Sequence, residues 1–179
     1  MNQTVDGALD YTVVEMISAK AVSSRVKTLA NDISLHFADS DKLVVVGLLR
    51  GSFIFIADLI RTLEIDCEVD FLKISSYKGK KSTGEIVMSK SLDLDIENRS
   101  IIIVEDIIDS GMSIEFIHNY LNDFNPKDIS IVSLLAKKSI SKLNFKIDFI
   151  GFEISSEFVV GYGLDYNQRF RNLDSIYKL

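Results

Sequence analysis

Ile101–Val104 is a run of four apolar β-branched residues, and Glu105-Asp106-Ile107-Ile108-Asp109-Ser110-Gly111-Met112-Ser113 follows without a break. This junction constrains the fold more than any other stretch. An uninterrupted apolar run has no polar side to give to water, so it suits a strand covered on both faces, as in a parallel sheet. Downstream, Ile114, Ile117 and Leu121 recur at i, i+3 and i+7, the spacing of one helical face. The segment therefore reads strand, polar turn, helix.

The same alternation runs along the rest of the chain. Val22, Val26, Leu29 and Ile33 predict a helix within Ile17–Phe37. Leu43–Leu49 (LVVVGLL) reads as a second buried strand, with a helix over Phe53–Leu63. Val69–Ser75 alternates apolar and polar residues, the period of a strand. The basic, glycine-bounded segment Lys78–Gly84 reads as a mobile loop, and Glu85–Lys90 as a returning strand. Pro126 helps stop the helix after Leu121. Ile129–Ala136 and Phe149–Ile154 are the remaining apolar runs. Strands alternating with helices predict an α/β fold, a mainly parallel twisted sheet joined by right-handed crossovers. Ligands of such sheets sit beyond the carboxyl ends of the strands, which directs attention to the residues after Leu49, Val104 and Leu135.

The turn after Val104 has the makings of an anion site. The first N–H groups of a helix lack partners, and the helix dipole adds partial positive charge. Gly111 lets the backbone come close, and Ser110 and Ser113 add hydroxyls. Glu105 and Asp106 would repel a bare phosphate. They fit a ligand that also carries a diol, whose hydroxyls they accept, or a divalent cation, which prefers oxygen ligands. A phosphorylated sugar satisfies both halves, with residues 109–113 on its phosphate. The competing reading is an ordinary strand-to-helix turn capped by Asp and Ser. GxxxxGK[ST] and GxGxxG are both absent.

Composition narrows the class. Hydrophobic residues make up 47% and charged residues 26%, a globular profile with ample material for a core. The net charge of −6 argues against general nucleic-acid binding, which draws on a basic stripe. Cys67 is the one cysteine, so no disulfide forms within the chain, and it reads as a small packed residue. No apolar run approaches the ~18–20 residues that cross a bilayer, and no charged stretch followed by an apolar run opens the sequence, so no signal peptide is expected. A cytoplasmic protein of one compact unit is expected. His36 and His118 read as structural or surface residues, and Asp93, Asp95 and Glu97 as a solvated turn.

VEDIIDSGMS resembles the phosphoribosyl pyrophosphate motif of type I phosphoribosyltransferases. LLRGSFIFIADL, SSYKG, LLAKK and DFIGFEI…FVVGYGLDYNQRFRNL are similar to the hypoxanthine-guanine branch of that family. The resemblance spans about Val44 to Tyr177. It implies the type I phosphoribosyltransferase fold over residues 1–179, with a small hood from the N-terminal segment and roughly residues 150–179. It implies a reaction in which N9 of a 6-oxopurine attacks C1 of phosphoribosyl pyrophosphate and pyrophosphate leaves with magnesium.

Residue roles follow from the matching motifs. Asp109 is implied as proton partner of purine N7, a role that requires a hydrogen bond to the base. Glu105 and Asp106 would hold the ribose hydroxyls, and Asp109, Ser110, Gly111, Met112 and Ser113 the 5′-phosphate. Met112 brings no charge, so backbone amides carry that site. Arg50 and Gly51 would form the pyrophosphate loop, with a cis peptide before Arg50. Ser76 and Tyr77 resemble the lid dipeptide, beside the basic Lys78, Lys80 and Lys81, closing the site against water. Lys137 would donate to the purine O6, disfavouring 6-amino purines. Phe158 would stack on the ring, and Val159 would meet the base edge through its backbone. Asp165 is implied as a magnesium ligand, with Glu105 and Asp106 as further metal carboxylates, and lies beside the purine. Arg171 would bind pyrophosphate directly. Each has a plainer reading: a solvated loop for Arg50, a hairpin tip for the lid, a core aromatic for Phe158. A homodimer or homotetramer is implied by analogy. Two alternatives remain open: a non-catalytic nucleotide sensor on the same fold, and a transferase for another base such as xanthine.

Overall fold

The apolar runs assemble side by side into one sheet of order β4-β3-β2-β5-β6-β7. In the computed structural model, which describes residues 12–40, 43–76, 86–138 and 145–179, the elements are β1 (Val14–Ile17), α1 (Ala19–His36), β2 (Leu43–Leu49), α2 (Phe53–Ile60), β3 (Glu68–Ser76), β4 (Ile86–Lys90), β5 (Ser100–Ile108), α3 (Met112–Asn122), β6 (Asp128–Lys137), β7 (Phe149–Ile154), β8 (Val159–Val160) and β9 (Ile176–Lys178). β2, β3, β5, β6 and β7 run parallel, and β4 pairs antiparallel with β3 at one edge. The expected α/β sheet is therefore what forms.

Pleating explains why the central strands had to be apolar throughout. On β5, Ile102 and Val104 face the core built by α1 and α2, whereas Ile101 and Ile103 face the core of α3. On β2, Val45 belongs to the first core, and Val44, Val46 and Leu48 to the second. Each fully buried side chain of this size stabilises the fold by about 1.5–3 kcal/mol relative to exposure. A polar residue at any of these positions would lose that and leave a buried group unpaired.

The helices follow their apolar stripes. α1 buries Val22, Val26, Leu29, Ala30 and Ile33, and the Ser18 hydroxyl accepts the Ala21 N–H at 3.3 Å to cap its start. Arg25 of α1 donates to the carbonyls of Ile150 (2.6 Å) and Gly151 (2.8 Å), seating the helix against edge strand β7. α2 ends at Ile60, short of the expected Leu63, because side chains take over its last carbonyls. Arg61 Nε donates to Ala57 O (2.9 Å) and the Thr62 hydroxyl to Asp58 O (2.8 Å).

A separate antiparallel sheet, β1-β9-β8, joins residues near both ends of the chain. The sequence reading assigned Ile17 to a helix; it ends β1 instead, because it pairs with Ile176 of β9. The acidic stretch is a turn, as expected. Asp70 accepts the N–H groups of Asp93 (2.6 Å) and Leu94 (3.0 Å), and Lys90 pairs with Asp93 at 2.9 Å. Burial pushes the Asp70 carboxyl up. The Leu94, Phe71 and Asp93 amides and the Lys90 ammonium outweigh that and hold it below its ordinary value. Cys67 is half-buried against the first core, and burial raises its thiol. His36 lies edge-on to Phe37 and Phe149, and His118 stacks on Phe145. Among the described residues no helix is long and apolar enough to cross a membrane.

Candidate active site

β2, β5 and β6 run the same way, so their carboxyl ends deliver Arg50, Asp109 and Lys137 to one edge of the sheet. A cleft of about 340 Å³ opens there, lined by Arg50, Gly51, Asp106, Ile107, Asp109, Lys137, Glu157, Phe158, Val159, Leu164, Asp165 and Arg171. Residues far apart in the chain thus meet where the parallel-sheet rule directs attention. A larger hollow of about 420 Å³ lies at the opposite, amino edge, among Leu43, Cys67, Glu68 and Arg99. It holds none of the motif residues.

The acidic pair sits differently from the sequence expectation. β5 was expected to stop at Val104, but its pairing with β6 continues through Ile107 opposite Leu135 and Ile108 opposite Ala136. Glu105 and Asp106 are thus strand residues, and Asp106 lines the cleft while Glu105 does not. Burial raises the Asp106 carboxyl to about 6; its own N–H and that of Ile107 oppose this, as does Arg171, while Asp165 reinforces it. Burial, and next the charge of Asp106, lift Glu105 well above its ordinary value.

The turn beyond β5 is not capped by Asp109 or Ser110. Gly111, at φ +80°, caps α3, and no side chain bonds the helix start. The left-handed backbone is the reason glycine stands there. The reading of Asp109 and Ser110 as plain helix caps therefore fails. The start of α3 keeps amides without side-chain partners, and Met112 above it is well exposed. Asp109 turns to Lys137, whose Nζ donates to Oδ2 at 2.8 Å. Lys137 is the last residue of β6, not the first beyond it.

A second group of residues comes from the loop after β8. The peptide Leu49–Arg50 is cis, as the resemblance implied. Gly51 presses on Asp106, where a Cβ would stand 1.7 Å from Oδ2, and Gly163 presses on the Gly51 carbonyl, where a Cβ would stand at 2.2 Å. The two loops thus pack backbone to backbone. Arg171 donates to Gly163 O (2.6 Å) and to Gln168 Oε1 (3.2 Å), and pairs with Asp165 Oδ1 (2.5 Å). Tyr162 donates its hydroxyl to Asp58 Oδ2 at 2.6 Å, tying this loop to α2. Burial, then the bond to Asp58, raise the Tyr162 phenol.

Phe158 is 52% exposed and meets the Tyr166 ring edge-on, so it is not a core aromatic. Val159 lines the cleft with its side chain buried, and its strand β8 pairs with β9. Ser110, Gly111, Met112 and Ser113 stand at the start of α3, outside the lining of the cleft. Ser76 ends β3; Tyr77, Lys78, Lys80 and Lys81 lie outside the described residues. Ile107, Leu164 and Gln168 lie inside the motifs quoted above but take no role from them, and Glu157 lies outside those motifs. They reach the cleft or its walls through tertiary folding alone.

Among the described residues no three His, Cys, Asp or Glu side chains form a metal cage. Magnesium does not need one, because it is commonly held by one or two carboxylates with substrate oxygens and water completing the shell. Asp106 and Asp165, both on the cleft wall, are oxygen donors of that kind.

The comparisons with known proteins agree with this architecture. The family model for the phosphoribosyl transferase domain matches residues 13–167. The hypoxanthine phosphoribosyltransferase of Buchnera aphidicola subsp. Schizaphis graminum is 44% identical over 173 residues, covering 96% of this chain and 98% of that protein. The Escherichia coli K12 hypoxanthine phosphoribosyltransferase is 43% identical over 173 residues, 96% of this chain and 97% of that one. A crystal structure of a hypoxanthine-guanine phosphoribosyltransferase from Bacillus anthracis superposes with a TM-score of 0.86 at 36% identity, covering 93% of this chain and 98% of the other. With its β5–α3 motif and its cleft at the carboxyl edge of a parallel sheet, the chain belongs to the phosphoribosyl transferase family.

Proposed function

We propose that this enzyme moves the 5-phosphoribosyl group of phosphoribosyl pyrophosphate onto N9 of hypoxanthine or guanine, a purine salvage reaction yielding IMP or GMP and pyrophosphate. The observation that carries the reading is the Lys137–Asp109 pair at 2.8 Å, set in one cleft with exposed Phe158. A donor beside a proton acceptor, in a cleft that also carries an exposed aromatic ring, suits a flat base that offers an acceptor and a neighbouring N–H. The 6-oxopurine edge, O6 beside N7, has that pattern.

In this reading the base stacks on Phe158, and the backbone of Val159 meets its edge near Asp165. Lys137 leaves Asp109 to donate to O6. Asp109 takes the N7 proton as N9 bonds to C1, and the bond from C1 to the pyrophosphate oxygen breaks. Asp109, Ser110, Gly111, Met112 and Ser113 hold the 5′-phosphate, chiefly by the free amides of α3. Asp106, with Glu105, accepts the ribose hydroxyls. Arg50, Gly51 and Arg171 receive the pyrophosphate, and Ser76 and Tyr77 belong to the lid. Bound magnesium would offset the charge of the leaving group, with Asp165, Glu105 and Asp106 as the residues to hold it.

The chain is read as one domain, residues 1–179, with β1, β8 and β9 in its hood, acting in the cytoplasm as a homodimer or homotetramer. The test is direct. The protein is incubated with phosphoribosyl pyrophosphate, magnesium and hypoxanthine, guanine, xanthine or adenine in turn, and nucleotide formation is measured. Turnover of hypoxanthine or guanine is expected; nucleotide from adenine alone, or none at all, would overturn the reading.

A further inference from the structure

Tyr166–Arg169 is a tight reversal of the chain. The Tyr166 N–H donates to Arg169 O at 3.2 Å, and the Arg169 N–H returns to Tyr166 O at 3.0 Å. The two central residues, Asn167 and Gln168, have φ of +51° and +64°. A two-residue turn with positive φ at both centres favours Asn followed by Gly. Asn167 obeys that preference. Gln168 stands where glycine would be relaxed, and a non-glycine residue held in this backbone region points to a use for its side chain.

The side chain has a specific task. Gln168 Oε1 accepts from Arg50 Nη1 and from Arg171 Nη2, each at 3.2 Å. Its backbone N–H donates to Asp165 Oδ2 at 2.8 Å. Arg50 follows β2 and Arg171 follows β8, so one amide oxygen joins guanidinium groups from distant parts of the chain. Two like charges at close range repel. A carboxylate between them would hold them but cancel part of their charge. Arg171 already pairs with the Asp165 carboxylate at 2.5 Å, and a neutral amide oxygen holds the two guanidinium groups without adding a second negative charge, leaving the rest of the positive field available to an anion.

We propose that Gln168 is a positioning residue for the leaving group: it sets the spacing of Arg50 and Arg171 so that the pair receives a pyrophosphate. The inference rests on the reading of those two arginines as pyrophosphate-binding residues, and goes beyond it by assigning the residue that aims them. Relaxed backbone is given up at Gln168 for that alignment.

Two variants separate the side chain from the backbone. Gln168→Gly relieves the turn and removes the acceptor. Gln168→Met keeps the backbone cost and the length but also lacks the acceptor. Binding of magnesium pyrophosphate is measured by calorimetry, with KM for phosphoribosyl pyrophosphate, KM for hypoxanthine and the melting temperature. Both variants are expected to bind pyrophosphate about 10-fold more weakly, the scale of one or two lost hydrogen bonds, with a parallel rise in KM for phosphoribosyl pyrophosphate. KM for hypoxanthine should stay within about 2-fold, and Gln168→Gly should melt at or above the parent temperature. Pyrophosphate binding at parent strength in either variant overturns the role of Gln168, and so does an equal rise in both KM values. If the parent protein itself binds no pyrophosphate, the underlying reading of the arginines fails, a result distinguishable from failure of Gln168 alone.

Discussion

Lys137 Nζ stands 2.8 Å from Asp109 Oδ2, joining the last residue of β6 to the first residue beyond β5. The lysine side chain is 15% exposed and the aspartate 65%, so water reaches the carboxylate freely. An ion pair of this kind contributes about 0–1 kcal/mol to folding. In the proposed reaction its importance is chemical: it stores a donor and a proton acceptor side by side until a base separates them.

Replacing Asp109 should therefore separate stability from activity. Asp109→Ala is expected to lower kcat by about 10²–10⁴-fold, the usual range for losing a proton-transfer group. Its melting temperature should stay within about 3 °C of the parent. Steady-state kinetics and thermal unfolding measured together decide the matter. Parent-like turnover would remove Asp109 from the chemistry.

Lys137→Ala should damage recognition of the base and spare the pyrophosphate side. A lost hydrogen bond from a charged donor is worth roughly 1.5–3 kcal/mol, or about 10–100-fold in kcat/KM for both hypoxanthine and guanine. Affinity for pyrophosphate should be unchanged by calorimetry. A change in melting temperature with no change in kcat/KM would make the lysine structural.

Gly51 has no room for a side chain, because a Cβ would fall 1.7 Å from the Asp106 carboxylate. Gly51→Ala must displace either the Arg50 loop or the Asp106 side chain. A cost of about 1–3 kcal/mol is expected, together with weaker binding of phosphoribosyl pyrophosphate. Chemical denaturation and KM measurements report the two effects independently.

The raised carboxyl of Asp106 gives the ligand-free protein a pH dependence. Its folded value is about 6, above the ordinary carboxylate range. A group shifted in this direction contributes stability below its unfolded pKa, and that contribution is lost as pH rises through the folded value. Stability should therefore fall between about pH 4 and 7 in the absence of ligand. Asp106→Asn should flatten that slope and raise stability at pH 8 by roughly 1–3 kcal/mol, while weakening ribose binding. Melting curves of both proteins across the pH range test this; identical slopes would show that Asp106 does not titrate there.

Tyr162→Phe removes the bond to Asp58 that ties the cleft loop to α2. About 1 kcal/mol should be lost, or roughly 2–4 °C in melting temperature, because Asp58 stays partly solvated. Thermal unfolding reads it directly.

Much of this molecule was legible along the chain. Ile101–Val104 and Leu43–Leu49 could only be strands covered on both faces, because they offer water nothing. Val22, Val26, Leu29 and Ile33 could only be one buried stripe of a helix. The polar turn between β5 and α3 named a phosphate at a helix start from local chemistry alone, and the resemblance supplied the purine. The strands and the helical stripe depend on neighbours in sequence, and both formed as read; the phosphate and the purine belong to the proposed function. Other properties depend on neighbours in space. β1 and β9 are too short to carry a period, and only their pairing with each other makes them strands. Whether Asp106 or Glu105 lines the cleft was decided by β6, whose ladder extends β5 past Val104. Asp109 could have capped a helix or faced a base; Gly111 took the cap, and Lys137, a strand away, took the carboxylate. Gln168 lies inside the FVVGYGLDYNQRFRNL block but takes no role from it, since its worth lies in joining Arg50 to Arg171 across the fold. The sequence by itself determined the elements and the chemical groups available, through burial and backbone preference. Only the tertiary structure decided which of those groups face one another, because distance through space sets every hydrogen bond and charge interaction in the cleft.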